Sequence, residues 1–280
     1  MFSRTRAPGN RRLASVVLAV VALVAVVAPA SVIATEPMPD AARVSAEESA
    51  MVAALNADRA AAGLVAVRPD SRLMAIARAR SADMVAKDYF SHTQPDGRNV
   101  FDILSGQGIT WFKAGEIIAW NNYPLDVTTS TANRQWMESP GHHDIVVGTD
   151  FNYVGVGLAV QTSTGKKFWT AVFMKGPDRT GARASFPAPT LLTGTASTNR
   201  RARLTWGGAD VRLQVLTAGL QSFTVQRRVD GGSWVTVWRN TTLKAGTLFV
   251  TLTHLYEFRV AAIDRKGNRG AWVTKVIDLR

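Results

Sequence analysis

YVGVGLAVQTSTGKKFWTAVFM, running from Tyr153 to Met174, decides the fold. Its first half alternates: Val154, Val156, Leu158 and Val160 fall on one side of an extended chain, with Gly155 and Gly157 opposite. Ser163-Thr164-Gly165 makes a turn, and Phe168 to Met174 returns as an almost wholly apolar strand. A strand with no polar side must be covered on both faces, so helices are required above and below the sheet. An α-β-α sandwich around an antiparallel sheet is the predicted architecture.

The helices that would cover it lie upstream. Ser45 and Glu48 read as a capping box, with Met51, Val52 and Leu55 following at helical spacing and Gly63 as the stop. Asp70 is the next N-cap, before a stripe of Leu73, Ile76, Ala77, Met84 and Val85. Pro95-Asp96-Gly97 is a turn, and Val100 to Leu104 a short helix ended by Gly106 and Gly108. A further helix is predicted from about 126 to 138, and Ser139-Pro140 opens another, with proline at its first position.

Downstream the texture changes. Residues 177–189 hold three prolines and read as a linker. Beyond it, strands are predicted over 202–206, 222–228, 234–238, 247–252, 256–263 and 272–277, punctuated by glycine turns. Short strands at this spacing indicate a β-sandwich. The fold class is therefore α+β: an α-β-α sandwich followed by an all-β, immunoglobulin-like sandwich. The 280 residues suit two domains of this kind.

Composition narrows the chemistry. With no cysteine, structural disulfides, thiolate metal sites and cysteine nucleophiles are all excluded. Residues 1–34 join a basic start (Arg4, Arg6, Arg11, Arg12) to an apolar run from Leu13 to Val27 and small-residue exits, the pattern of a secretory signal peptide. A secreted or envelope-associated protein is expected, with an uncleaved membrane anchor as the alternative. Net charge is +12, of which residues 187–280 contribute +9 and residues 35–186 contribute −1. Outside the cytoplasm, such a basic third has an anionic cell-wall polymer, a lipid surface or a protein ligand as its expected partner, and nucleic acid is not expected.

No HExxH, GxSxG, P-loop or dinucleotide fingerprint is present. A scattered constellation remains: His92 after the second helix, Glu116 mid-domain, and Glu138 with His142 at a helix-to-helix junction. Two imidazoles and two carboxylates suit a borderline divalent cation such as zinc, the acids neutralising charge or fixing the imidazole tautomers. Spacing alone leaves open whether the four meet. His143 reads as a surface neighbour, and His254, before a strand of the second domain, as structural or exposed.

Residues 48–176 resemble the CAP superfamily (the SCP/PR1/allergen-5 domain) in its bacterial form. The resemblance is carried in order by Leu55-Asn56, Arg59, Gly63-Leu64, Asp70, Leu73, Asp83-Met84, Tyr89-Phe90-Ser91-His92-Thr93 and Pro95-Asp96-Gly97. Gly115-Glu116, Trp136-Met137-Glu138-Ser139-Pro140-Gly141-His142, Gly155-Val156-Gly157 and the strand 168–173 complete it. It implies an α-β-α sandwich whose cleft holds two histidines and two acids around a divalent cation. These map to His92 and His142 as metal ligands and to Glu116 and Glu138 as cleft carboxylates, with Ile117 where the family usually has asparagine. Residues 190–280 resemble a fibronectin type III domain through Leu204-Thr205-Trp206, the hairpin around Asp230-Gly231-Gly232, and Tyr256 to Val260, Tyr256 being the corner tyrosine.

Three functions follow as expectations. The first is a non-catalytic secreted module binding a divalent cation, with zinc favoured, and a small apolar or peptide ligand in the cleft, the basic type III domain attaching it to the envelope or to a partner. The second is a metal-dependent, peptidase-like hydrolase with Glu116 or Glu138 as base. The third is a structural adhesin with a vestigial cleft.

Overall fold

The computed structural model describes residues 40–192 and 199–280. The expected signal peptide lies outside them, and the described residues fall in one compact unit. No helix among the described residues is long and apolar enough to cross a membrane.

The first half runs α1 (Asp40–Ala61), β1 (Arg68–Pro69), α2 (Ser71–Ala86), α3 (Val100–Gly106), β2 (Lys113–Asn121), α4 (Leu125–Glu138), α5 (Pro140–Val146), β3 (Tyr153–Gln161) and β4 (Lys166–Lys175). The strands order as β1-β3-β4-β2. β2, β3 and β4 are antiparallel, whereas the two-residue β1 joins β3 in parallel. On one face Met51 and Leu55 of α1, Ala132 and Trp136 of α4 and Val146 of α5 pack on Ile117, Val154, Val156, Trp169 and Phe173. On the other, Leu73, Ile76 and Ala77 of α2 and Val100 and Leu104 of α3 pack on Tyr153, Val172 and Met174. Helices on both faces are what the apolar strand required.

Local signals fared unequally. Asp70 caps α2, its side chain accepting from the Arg72 amide, and Gly63 follows α1 in the left-handed region at φ 72°. The Ser45–Glu48 capping box is not formed. α1 begins at Asp40, five residues before Ser45, so both residues are helix-interior. Glu48 is buried, takes Arg78 Nη2 at 2.6 Å and accepts from the Leu158 amide. An ion partner from α2 and a strand N–H satisfy it better than its own helix end.

The second half comprises β5 (Arg183–Ser185), β6 (Thr190–Leu192), β7 (Asn199–Thr205), β8 (Gly207–Ala209), β9 (Leu220–Val229), β10 (Val235–Thr241), β11 (Ala245–Thr251), β12 (Leu255–Asp264) and β13 (Val273–Asp278). A three-stranded sheet, β11-β7-β6, and a four-stranded sheet, β10-β9-β12-β13, share one core of Leu204, Phe223, Val225, Val250, Phe258 and Val260. The Tyr256 hydroxyl oxygen accepts the Thr251 amide at 2.8 Å, tying the turn between β11 and β12. Removing that oxygen in Tyr256→Phe is expected to cost about 1 kcal/mol, measured by urea unfolding, because the amide loses its protein acceptor.

The segment read as a linker is packed. Asp178, Ala182 and Phe186 are buried, and β5 pairs with β8. Asp178 accepts the Thr180 and Ala218 amides, while Asn268 Nδ2 donates to the Asp178 carbonyl. Leu213 enters the core beneath α2 and α3, and Asn152 Nδ2 donates to the Val215 carbonyl. The prolines stiffen a junction rather than loosen it.

Candidate functional site

Arg80 organises the site. It lies on the buried stripe of α2, one helical turn after Ile76 and Ala77, with 1% of its side chain exposed. Its Nε donates to Glu116 Oε1 at 2.9 Å, Nη1 to the Tyr89 hydroxyl at 2.7 Å, and Nη2 to the carbonyls of Ser91 and His92 at 2.7 and 3.1 Å. One guanidinium thus fixes the acid on β2 and the backbone of the loop that carries His92. Burial pulls the pKa of this arginine down, but the Glu116 carboxylate, helped by Tyr89, outweighs it and raises it overall.

Glu116 is committed on both oxygens. Oε1 faces Arg80, and Oε2 lies 2.8 Å from His92 Nδ1. Its side chain is 3% exposed, while that of His92 is 53% exposed. With Nδ1 turned to the carboxylate, the other imidazole nitrogen, Nε2, is the one left to meet a ligand. A second ring of support surrounds the loop. The Tyr89 hydroxyl donates to Asp83 Oδ2 at 2.6 Å, and Gln94 Nε2 donates to the same oxygen at 2.9 Å. Burial pushes the Asp83 carboxyl up, but Lys87, Tyr89 and Gln94 together bring it down to about 2.

His142 approaches from the other side on α5. That short helix is fastened at its end by buried Arg59, whose Nη1 donates to the carbonyls of Val146 and Gly148 at 2.8 and 2.9 Å. Cationic donors suit the negative end of a helix. His142 is half-buried, and its pKa is lowered by desolvation and then by the charge of His92, so the imidazole is neutral at pH 7. Two hollows run along β2. One, of about 270 Å³, is lined by His92, Phe101, Glu116 and Ile145. The other, of about 250 Å³, is lined by Phe90, Trp120, Gln135, Trp136 and His142. Phe90, Phe101 and Trp120 are exposed apolar walls.

The four predicted residues are therefore brought together unequally. His92 and Glu116 touch, and His142 is near enough to feel His92. Glu138 is exposed at the end of α4, and no ion pair of it is formed among the described residues. His143 sits beside Asp144, with 3.7 Å between Nδ1 and a carboxylate oxygen, and His254 meets Asp230 in the second half. Among the described residues, three or more histidine or acidic ligand atoms come within 4.8 Å of one another only at Asp178, Asp210 and Asp264. Those three acids bind loop amides: Thr180 and Ala218, Val211 and Gly219, Lys266 and Asn268.

Whether a zinc ion fits is a question about donors. Neutral His142 and the free nitrogen of His92 are suitable ligands, and Glu116 is suited to orienting His92 rather than ligating, because Arg80 occupies its other oxygen. Arg80 escaped the sequence reading, although its signal was present: a charged residue at a core position of the α2 stripe must have a buried partner.

The profile of the family described as "CAP: Cysteine-rich secretory protein family" matches residues 52–173. The "Uncharacterized protein YkwD" of Bacillus subtilis (strain 168) is 35% identical over 131 residues, covering 47% of this chain and 48% of that protein. The "Uncharacterized membrane protein YlbC" of the same organism is 29% identical over 120 residues, covering 43% of this chain and 32% of that protein. The chain thus spans half or less of these relatives' lengths. Among solved structures, an extracellular protein containing a SCP domain from Bacillus anthracis superposes with a TM-score of 0.44 at 24% identity, over 50% of this chain and 45% of its own. An outer surface protein from Borrelia burgdorferi gives 0.42 at 17% identity, over 47% of this chain and 93% of its own. The family profile falls on the helices and strands that build the cleft, from α1 to β4, and residues 52–173 of this chain are a CAP domain.

Proposed function

We propose that the protein is a non-catalytic, exported binding module whose CAP cleft takes a divalent cation through His92 and His142, with a peptide or small apolar ligand beside it. The observation that carries this reading is the double commitment of Glu116. A carboxylate held by a buried guanidinium on one oxygen and an imidazole on the other is poorly placed to take a proton from water, but well placed to orient His92. Exposed Phe90, Phe101 and Trp120 supply apolar contact for the ligand. Export rests on the basic and apolar pattern of residues 1–34. A fibronectin type III identity for residues 190–280 rests on the three-plus-four strand arrangement and the Tyr256 corner.

Calorimetric titration of zinc into the metal-free protein is expected to show one-to-one binding that disappears in His92→Ala/His142→Ala. Glu116→Gln should weaken it roughly 10–100-fold, as the loss of an orienting partner does, and Glu138→Gln should leave it unchanged. Equal binding by the protein and the double histidine variant would overturn the metal assignment. Turnover of a peptide panel, abolished by both chelation and Glu116→Gln, would overturn the non-catalytic reading.

A further inference from the structure

The +9 charge of residues 187–280 is not spread evenly over the sandwich. On the four-stranded sheet, five side chains stand in one row, alternately guanidinium and indole: Arg228, Trp234, Arg259, Trp272 and Arg269. Successive guanidinium-to-ring separations are 4.7, 4.1, 4.4 and 5.0 Å. The register produces the row. β12 places Glu257 opposite Arg228 and Arg259 opposite Gln226, alternating with the core residues Tyr256, Phe258 and Val260, so the row lies on the outer face.

Hydrogen bonds lock it. Arg228 Nη2 donates to Glu257 Oε1 at 2.7 Å, Arg259 Nε donates to Gln226 Oε1 at 2.8 Å, and Gln226 Nε2 donates to Thr236 Oγ1 at 3.0 Å. Of the three guanidiniums only Arg228 has a carboxylate partner among the described residues. The pKa of Arg259 is pulled down by desolvation and by its neighbours Arg269 and Arg228, the cost of stacking like charges without a counter-ion.

We propose that this row is a docking site for a linear phosphate polymer, a chain bearing a phosphate at each short repeat. Glu257 takes the Arg228 fork and Gln226 takes Arg259 Nε, which leaves the Nη groups of Arg259 and the guanidinium of Arg269, on either side of Trp272, as the donors that can match phosphate oxygens. Because the stack already holds them, little side-chain entropy is lost on binding. Neighbouring forks are one indole apart, a spacing that a flexible phosphate chain meets with successive repeats. A carboxylated sugar chain would instead need to stack its rings on Trp234 and Trp272, each of which already carries two guanidiniums. The same covering removes the indoles as anchors in a lipid surface. This site is separate from the cleft and stands whether or not the cleft binds metal.

The test is fluorescence anisotropy of labelled polyphosphate with the intact protein at physiological ionic strength. Arg259→Gln/Arg269→Gln is expected to weaken binding by at least about tenfold, the scale of losing charge-assisted hydrogen bonds. Arg201→Gln/Arg203→Gln removes the same charge from exposed positions of β7 in the other sheet and should weaken it less than about threefold, the effect of lost screened attraction. Arg259→Lys keeps the charge and loses the fork, and should resemble the first variant. Arg269→Gln alone, at an exposed loop position, serves if the double variant unfolds and should also weaken binding. Equal weakening by both double variants, no weakening by either, or equally tight row-dependent binding to polyglutamate or anionic vesicles would each overturn the proposal.

Discussion

Arg80→Met is expected to destabilise the protein by about 3–5 kcal/mol, the usual result of removing one partner of a buried ion pair. The side chain it replaces is 1% exposed, and the carboxylate it leaves behind is 3% exposed. The substitution keeps the apolar stem, so packing loss is small and the effect comes from the buried Glu116 carboxyl left with only His92 for a partner. Two backbone carbonyls, of Ser91 and His92, and the Tyr89 hydroxyl also lose their donor. Urea unfolding followed by tryptophan fluorescence gives the magnitude. Arg80→Met/Glu116→Leu removes both charges and is expected to recover a large part of the loss, since a buried pair replaced by apolar groups is often near neutral. A double variant no more stable than Arg80→Met would show that the carbonyls, not the unpaired acid, carry the cost. Zinc affinity should fall in both, because the loop holding His92 is no longer tied to α2.

The layered architecture was legible because it follows from one apolar strand. Phe168 to Met174 has no polar face, and helices with apolar stripes flank it in the chain. The β2 strand was not predicted as such: Lys113–Asn121 has an exposed edge and a buried acid in its middle, which breaks both the alternating and the fully apolar patterns. Ser45 and Glu48 show the opposite error. Their spacing is that of a cap, but a longer helix and a partner 30 residues on in sequence override it. At the site, the identities of His92, Glu116 and His142 were visible as residue types able to bind a cation, and the contact of His92 with Glu116 was not, since it depends on where the 89–99 loop folds back. That folding is set by Arg80. The linker misled for a related reason: proline content reports local stiffness and says nothing of Leu213 arriving from the other half to bury itself under α2.

Gly157→Ala is expected to abolish the native fold or to cost more than about 4 kcal/mol, well beyond the ordinary effect of a point substitution. A methyl group at this position would lie 2.1 Å from the Arg78 amide nitrogen and 2.2 Å from the Ala77 carbonyl carbon. Gly155 is placed alike, its methyl falling 2.0 Å from the Leu73 carbonyl carbon. Both obstacles are backbone atoms of α2, which cannot rotate aside as a side chain would. Helix and strand touch through the missing side chains of two glycines spaced two apart on one face of β3. Accommodating the methyl means lifting α2 off the sheet, which opens the contacts of Leu73, Ile76 and Ala77 and withdraws Arg80 from Glu116 at the same time. Stability and zinc binding should therefore fall together. Gly141→Ala supplies the contrast: it lies in a helix with nothing within 4 Å of the new methyl, so it is expected to be neutral or stabilising by about 0.5–1 kcal/mol. Thermal unfolding of the three proteins separates a backbone contact from a general intolerance of glycine replacement. Similar melting temperatures for Gly157→Ala and Gly141→Ala would mean that α2 yields without cost, and that the close approach to β3 is not what positions Arg80.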